Sequence, residues 1–218
     1  KVPDKKFSKD YQAGILSFEF NFLGEKVITN SGYYQDYKHQ LNSISKSTAS
    51  HSTLVLDDTS NIKFERDKHG HMLANKNYKI LSKEIRSEKD FWLIKASHDA
   101  YTKSYGVIHQ RQIYFFHNEQ KIQGYDKLVK LKNFKPSNFS IRFHLLPEIN
   151  LTKLLDNESI LIESKNAGWK LTCKNHKIDI ETGLYFGMKN RYSENKNILI
   201  AGSTQPGDQN IFWEISKI

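Results

Sequence analysis

The run Ile15-Leu16-Ser17-Phe18-Glu19-Phe20-Asn21-Phe22 places an apolar side chain at every second position, with Ser17, Glu19 and Asn21 between them. Successive side chains of a strand point to opposite faces, so such a segment buries one face and wets the other. The pattern turns at Gly24, resumes over residues 26–29 and recurs to the C-terminus, whereas 3.6-residue periodicity is rare. It predicts strands over residues 52–56, 91–97, 107–116, 139–143, 159–164, 169–173, 177–182, 183–188, 197–202 and 210–214. Turn chemistry falls between them, as in Asn166-Ala167-Gly168 and Gln205-Pro206-Gly207-Asp208. This spacing predicts an all-β chain: a multi-stranded antiparallel β-sandwich of stacked sheets. Two stretches break the pattern. Residues 33–50 are polar and predict a long loop, and residues 147–155 predict one helical turn or a crossover. There is no internal repeat or Pro/Gly-rich linker, so residues 1–218 read as one domain.

Thirteen Phe, 11 Tyr and 3 Trp are enough to build a core, which argues against disorder. No apolar run approaches the ~18–20 residues a membrane-spanning helix needs, and no membrane partner is expected. The 33 basic residues against 24 acidic give a net charge of +9, which favours a polyanionic partner. Only five of the cations are Arg, however, and the lysines are scattered along the chain. Proteins that read nucleic acids lean on Arg for bidentate contacts. A nucleic-acid partner is therefore not expected, which leaves an anionic polysaccharide or a plain solvated surface.

Cys173 stands alone, which excludes an internal disulfide and a cysteine-based zinc site. It falls in an alternating apolar stretch and reads as packing. His69-Gly70-His71 lies in a charged turn too short to define a metal site. His51 ends the polar loop and opens a strand in STASHSTLVLDD. An imidazole at such a junction can bond backbone through one nitrogen and leave the other for substrate or metal. A purely structural role stays open.

The order of YQAGILSFEF (residues 11–20), VITNSG (27–32), STASHSTLVLDD, KASHDAYTKSYGVIHQR (95–111) and IRFHLLP (141–147) resembles the C-terminal β-sandwich of heparinase II/III-like proteins. The resemblance implies a polysaccharide lyase in which an N-terminal α/α toroid packs against this sandwich and an acidic polysaccharide binds between them. It implies β-elimination of uronate-containing glycans, with a location in the cell envelope or periplasm. It also implies a divalent, zinc-like metal held by two His and one Asp. In this sequence the matching positions are His51, Gln12 and Asn30, so two of the three ligand types depart. The cleft tyrosine falls at Tyr34 or Tyr37, with Tyr33 the less favoured neighbour, and His51 is the third catalytic candidate. Gln12, Lys46, Tyr101, His109 and Arg111 are the expected substrate contacts, Lys46 toward a uronate carboxylate. Read from the residues alone, Tyr101, His109 and Arg111 fit core and strand-pairing roles better, since HQRQIYFF runs directly into an apolar strand. The chain opens on Lys1 rather than Met and reads as a piece of a longer protein, inactive without its toroid. The alternative is a non-catalytic glycan-binding or structural sandwich.

Overall fold

A computed structural model describes residues 3–75 and 77–218. In chain order the strands begin with a hairpin, β1 (Phe20–Phe22) and β2 (Glu25–Ile28). Helix α1 (Gln40–Lys46) precedes β3 (Leu54–Leu56), a second hairpin of β4 (Lys63–Arg66) and β5 (Met72–Asn75), then β6 (Ile80–Ser87) and β7 (Phe91–His98). The short helix α2 (Thr102–Tyr105) leads into β8 (Val107–Phe116), β9 (Lys121–Lys130), β10 (Asn138–His144), β11 (Asn150–Lys153) and β12 (Ser159–Glu163). The chain ends with β13 (Gly168–Thr172), β14 (Lys177–Tyr185), β15 (Ser193–Ser203) and β16 (Gln209–Lys217).

Eight strands form one antiparallel sheet in the order β11-β12-β13-β16-β9-β8-β7-β6, and four form a second in the order β14-β15-β10-β3. The two sheets make the expected sandwich. Trp169, Leu171, Ile211, Trp213, Ile215, Ile122 and Leu128 from the large sheet share one core with Phe139, Ile141, Phe143, Ile198 and Ile200 from the small one. Phe18, Phe20 and Phe22 pack against this core. Phe18 stacks on Trp213 at 5.6 Å, and Phe20 and Phe22 meet Trp169 edge-on at 5.0 and 5.1 Å. The alternation of residues 15–22 thus marks a buried face, although only Phe20–Phe22 enter a ladder. The small sheet does not reach across β6 and β7, so Ile85, Trp92 and Ile94 remain exposed on the inner face.

A charged cluster lies inside the core. Arg111 on β8 grips Asp126 on β9 bidentately, at 2.8 and 3.0 Å. Trp213 Nε1–H and His109 Nε2–H also donate to that carboxylate, at 2.9 and 2.6 Å. His109 Nδ1 then accepts from His98 Nε2–H at 3.2 Å, and His98 Nδ1 accepts from the Ala100 amide at 3.2 Å. The whole chain of bonds is consistent with two neutral imidazoles. Burial pushes the Asp126 carboxyl up, but the Arg111 charge and the His109 bond outweigh it and hold it well below the usual carboxylate range. Gly124 makes room for this cluster, since a Cβ there would sit 2.0 Å from the Trp213 ring.

Several expectations need correction. Residues 33–50 are not a plain loop: they contain α1 and a 3-10 turn, Thr48–Ser50. Residues 147–155 hold strand β11 rather than a helical turn. The strands predicted over 177–182 and 183–188 are one, β14, continuous through Gly183. The pattern missed β9 because two of its inward positions are Gly124 and Asp126, a missing side chain and a charge where apolar residues were sought. It missed β6 because this edge strand is mostly polar and exposed.

Breaking a buried ion pair on one side leaves the other charge unpaired, at a cost of about 3–5 kcal/mol. Asp126→Ala is therefore expected to destabilise the fold by that order in urea unfolding, and a loss under about 1 kcal/mol would contradict the clamp. Acid should also weaken the fold. Burial lowers the pKa values of His51, His98, His109 and His144, the last to about 3. The unfolded chain protonates these groups below about pH 6.5 while the folded chain does not. Stability is therefore complete above that pH and falls below it, by up to about 1.4 kcal/mol per pH unit for each imidazole. The thermal midpoint should drop between pH 7 and pH 4.5 and drop less in His144→Gln. A flat profile would refute this reading.

Candidate functional site

The N-terminal segment is fastened to the turn after α1. Ala13 N–H donates to Lys46 O at 2.8 Å, and Thr48 Oγ1 donates to Ala13 O at 2.9 Å. Two more bonds extend the seam: Thr53 Oγ1 to Ile15 O at 2.9 Å, and Ser17 Oγ back to Gly14 O at 2.9 Å. Arg111 secures both strands of this seam from below, donating through Nη1 to Leu16 O at 3.0 Å and to Ser52 O at 2.7 Å. The seam brings Gln12 against His51. Gly14 is required at the crossing, because a Cβ there would lie 2.6 Å from His51 Cδ2.

Above the seam lies an open pocket of about 440 Å³ whose wall includes Tyr11, Gln12, Glu19, Lys26, Asn30, Tyr33, His51 and Tyr185. His51 Nδ1–H donates to Ser47 O at 2.8 Å, which leaves Nε2 as the lone-pair nitrogen. Burial lowers its pKa, partly offset by the Ser47 bond, so the ring is neutral at neutral pH. Nε2 stands 3.2 Å from Gln12 Oε1. Two facing acceptors make no bond, so Gln12 donates to His51 only with its amide turned to present the NH₂ end. The Tyr33 hydroxyl donates to Asp10 Oδ1 and accepts from Asn42 Nδ2, both at 3.2 Å. Burial raises its pKa and the Asp10 charge adds to this, against the Asn42 bond, so the phenol stays protonated. Lys26 donates to Glu19 at 2.8 Å and is held more firmly protonated by that bond.

The residues expected from the sequence are dispersed. Gln12, Asn30 and His51 meet at the pocket. Tyr34 lies outside it, buried against Phe186 and Leu41, and the Tyr37 ring rests on His71 at 4.1 Å. Lys46 is no free cation: it is buried, with Nζ donating to Met72 O at 2.8 Å and to Lys9 O. That burial lowers its pKa to about 8. Tyr101, His109 and Arg111, expected to touch substrate, are 1%, 0% and 3% exposed and beyond a sugar's reach. Tyr101 donates to Leu54 O at 3.2 Å, and the other two belong to the Asp126 cluster. His144 is also fully used, by Ser31 at 3.0 Å and Ala49 O at 2.9 Å. The burial of Cys173 raises its thiol pKa to about 12, which fits packing rather than chemistry.

The sequence reading missed Tyr11, Glu19, Lys26 and Tyr185. A usable signal existed for Glu19 and Lys26, which flank the β1–β2 turn on the polar phase of the alternation. None existed for Tyr185, which arrives from the far end of β14.

The donor set does not suit a resident zinc ion. Asn30 Oδ1 is occupied by the Ser52 amide at 2.9 Å, and its Nδ2 donates to Glu19 at 3.2 Å. Gln12 covers the His51 lone pair, and neutral amides are poor replacements for the His and carboxylate donors zinc takes. Among the described residues no group of three or more His, Cys, Asp or Glu is gathered as a metal site.

The family model described as "Heparinase II/III-like, C-terminal" matches residues 1–214. Among solved structures the chain is similar to a heparan sulfate lyase, HepC from Pedobacter heparinus, with TM-score 0.75 and 14% identity over 94% of this chain and 30% of that one. A protein described as heparinase III is similar with TM-score 0.71 and 15% identity over 95% of this chain and 30% of that chain. The chain thus spans about a third of the length of these structures. No curated protein sequence matches it. With the family model covering all but the last four residues of a two-sheet sandwich of this shape, the chain belongs to the heparinase II/III-like C-terminal domain family.

Proposed function

We propose that the pocket around His51 is one wall of a cleft for an acidic, uronate-containing polysaccharide, and that the domain serves β-elimination together with an N-terminal α/α domain. The observation that carries this reading is the pairing of a neutral imidazole with a protonated phenol on one open wall. β-Elimination needs both: a base that takes the proton α to the carboxylate, and an acid that protonates the departing glycosidic oxygen. His51 Nε2 is the base once the Gln12 amide swings to the incoming sugar. The electron pair of the broken C–H bond becomes the new C=C bond, the C–O bond to the leaving sugar opens, and Tyr33 supplies that oxygen's proton. Lys26 and the Gln12 amide provide donors for the uronate carboxylate, the role first expected of Lys46. Tyr33 takes the place proposed for Tyr34 or Tyr37 because it alone of the three lines the pocket. The exposed inner-face flank of Ile85, Trp92 and Ile94 supports a packing partner. It runs into an apolar groove that shares Ser17 with the pocket. A cell-envelope location belongs to the same reading.

The test is turnover of heparan sulfate, followed by the ultraviolet absorbance of the unsaturated product, in a polypeptide joining this domain to its N-terminal domain. General acid and base groups contribute about 10²–10⁴-fold each. Tyr33→Phe and His51→Ala should lower kcat by that order, and Tyr34→Phe should leave it unchanged. Full activity in both of the first two variants would overturn the assignment. The hydrogen bond that occupies His51 Nε2 favours a second reading, a glycan-binding wall without chemistry. Binding without turnover in the wild type, unaffected by His51→Ala, would select it.

A further inference from the structure

The outer face of the eight-stranded sheet, turned away from the core, carries an aromatic surface that plays no part in the His51 pocket. Strand register places Tyr125 of β9 beside Phe212 of β16 on one side and Gln112 of β8 on the other. One row along, Tyr114 lies beside Gln123, and Phe116 follows Tyr114 on the same strand. The rings are contiguous. Tyr125 and Phe212 lie 4.9 Å apart, Tyr114 and Tyr125 6.2 Å, and Tyr114 and Phe116 6.0 Å with planes only 15° apart. Tyr114, Phe116, Tyr125, Gln112 and Gln123, together with Lys127 and Asn210, line a shallow depression of about 210 Å³, and Phe212 borders Tyr125. It shares no residue with the pocket around His51.

Three properties define what fits this surface. The rings form a contiguous aromatic cluster, with Tyr114 edge-on to Tyr125 at 82° and Phe212 tilted at 46° to it, whereas an outward sheet face of a solvated protein is ordinarily polar. Amide groups alternate with the rings. Gln112 carries both donors and an acceptor, and Gln123 is steered by its bond to Glu214 at 2.8 Å. Two bordering cations are paired, Lys127 with Asp208 at 3.0 Å and Lys121 with Glu119, while Lys95, beside Gln112 in register, makes no ion pair among the described residues. The rings and amides together suit a ligand with apolar C–H faces and many hydroxyls. A pyranose chain has that character, with ring faces to lie on Tyr125, Phe212 and Tyr114 and hydroxyls to meet Gln112, Gln123 and Asn210.

We propose that this outer face is a second, non-catalytic polysaccharide-binding surface that holds uncharged stretches of a glycan. It does not depend on the lyase reading. The experiment is affinity gel electrophoresis of this chain through hydroxyethylcellulose, glucomannan and heparan sulfate, at low and high salt. Retardation by at least one uncharged polymer, insensitive to salt, is expected. A Tyr125→Ala/Phe212→Ala double variant should lose it, while Tyr125→Phe and His51→Ala should keep it. Circular dichroism and the thermal midpoint verify that the double variant is folded, and Gln112→Ala gives a milder lesion that leaves every ring in place and should weaken retardation. No retardation by either uncharged polymer, or undiminished retardation in a folded double variant, would overturn the proposal. A shift of the wild type from dimer to monomer on making the double variant, seen by sedimentation, would also overturn it by assigning the face to a second copy.

Discussion

The bidentate grip of Arg111 on Asp126 is the interaction from which the rest of the molecule hangs. Within the large sheet it joins neighbouring strands β8 and β9, and through Trp213 it takes in β16. The third guanidinium nitrogen reaches out of the sheet to the carbonyls of Leu16 and Ser52. One buried charge therefore ties the core to two backbone segments distant in sequence. The planar fork of Arg suits this task, since a Lys ammonium could not hold a carboxylate bidentately while donating to two carbonyls. Buried ion pairs are costly in general. Here the cost is offset by near-complete satisfaction of the carboxylate, which also accepts from an indole and an imidazole.

The pocket inherits its geometry from that clamp. Gln12 and His51 meet because residues 13–15 are stitched to residues 46–53, and the stitching donors are the Thr48 and Thr53 hydroxyls and the Ala13 amide. These short hydroxyls serve backbone rather than ligand. Ser52 Oγ likewise donates to Thr29 O at 2.6 Å and accepts from the His144 amide at 2.9 Å. The result is a rigid floor under a wall of larger polar groups.

Much of the architecture was legible from period-two alternation, because a sandwich buries one face of nearly every strand. It failed where a strand breaks the rule for its own reasons. In β9 the inward Gly124 admits the Trp213 ring and the inward Asp126 holds the clamp, so the two residues that matter most hid the strand. The edge strand β6 has little core to face and so no pattern to show. Motif order located the site region, and His51 with Gln12 and Asn30 come together there. It did not separate the residues that face the pocket from those that build it. Tyr33 and Tyr34 are adjacent, and only the bend of the chain sends one to the pocket and the other against Phe186. His109 and Arg111 look like ligand-binding groups in a sequence, and their burial depends on the position of Asp126, which no local pattern reveals.

The division between floor and wall has an evolutionary consequence. Gln12, Glu19, Lys26 and Tyr33 line the cavity above a seam that Arg111 holds at the carbonyls of Leu16 and Ser52. A lineage can thus alter the hydrogen-bonding character of the wall by changing side chains that the fold does not need. The same freedom is denied to Arg111, Asp126 and Gly124, where any change disturbs the sheet and the cavity together. Divergence among such domains should therefore collect on the rim of the cavity, while the layer beneath it stays almost fixed.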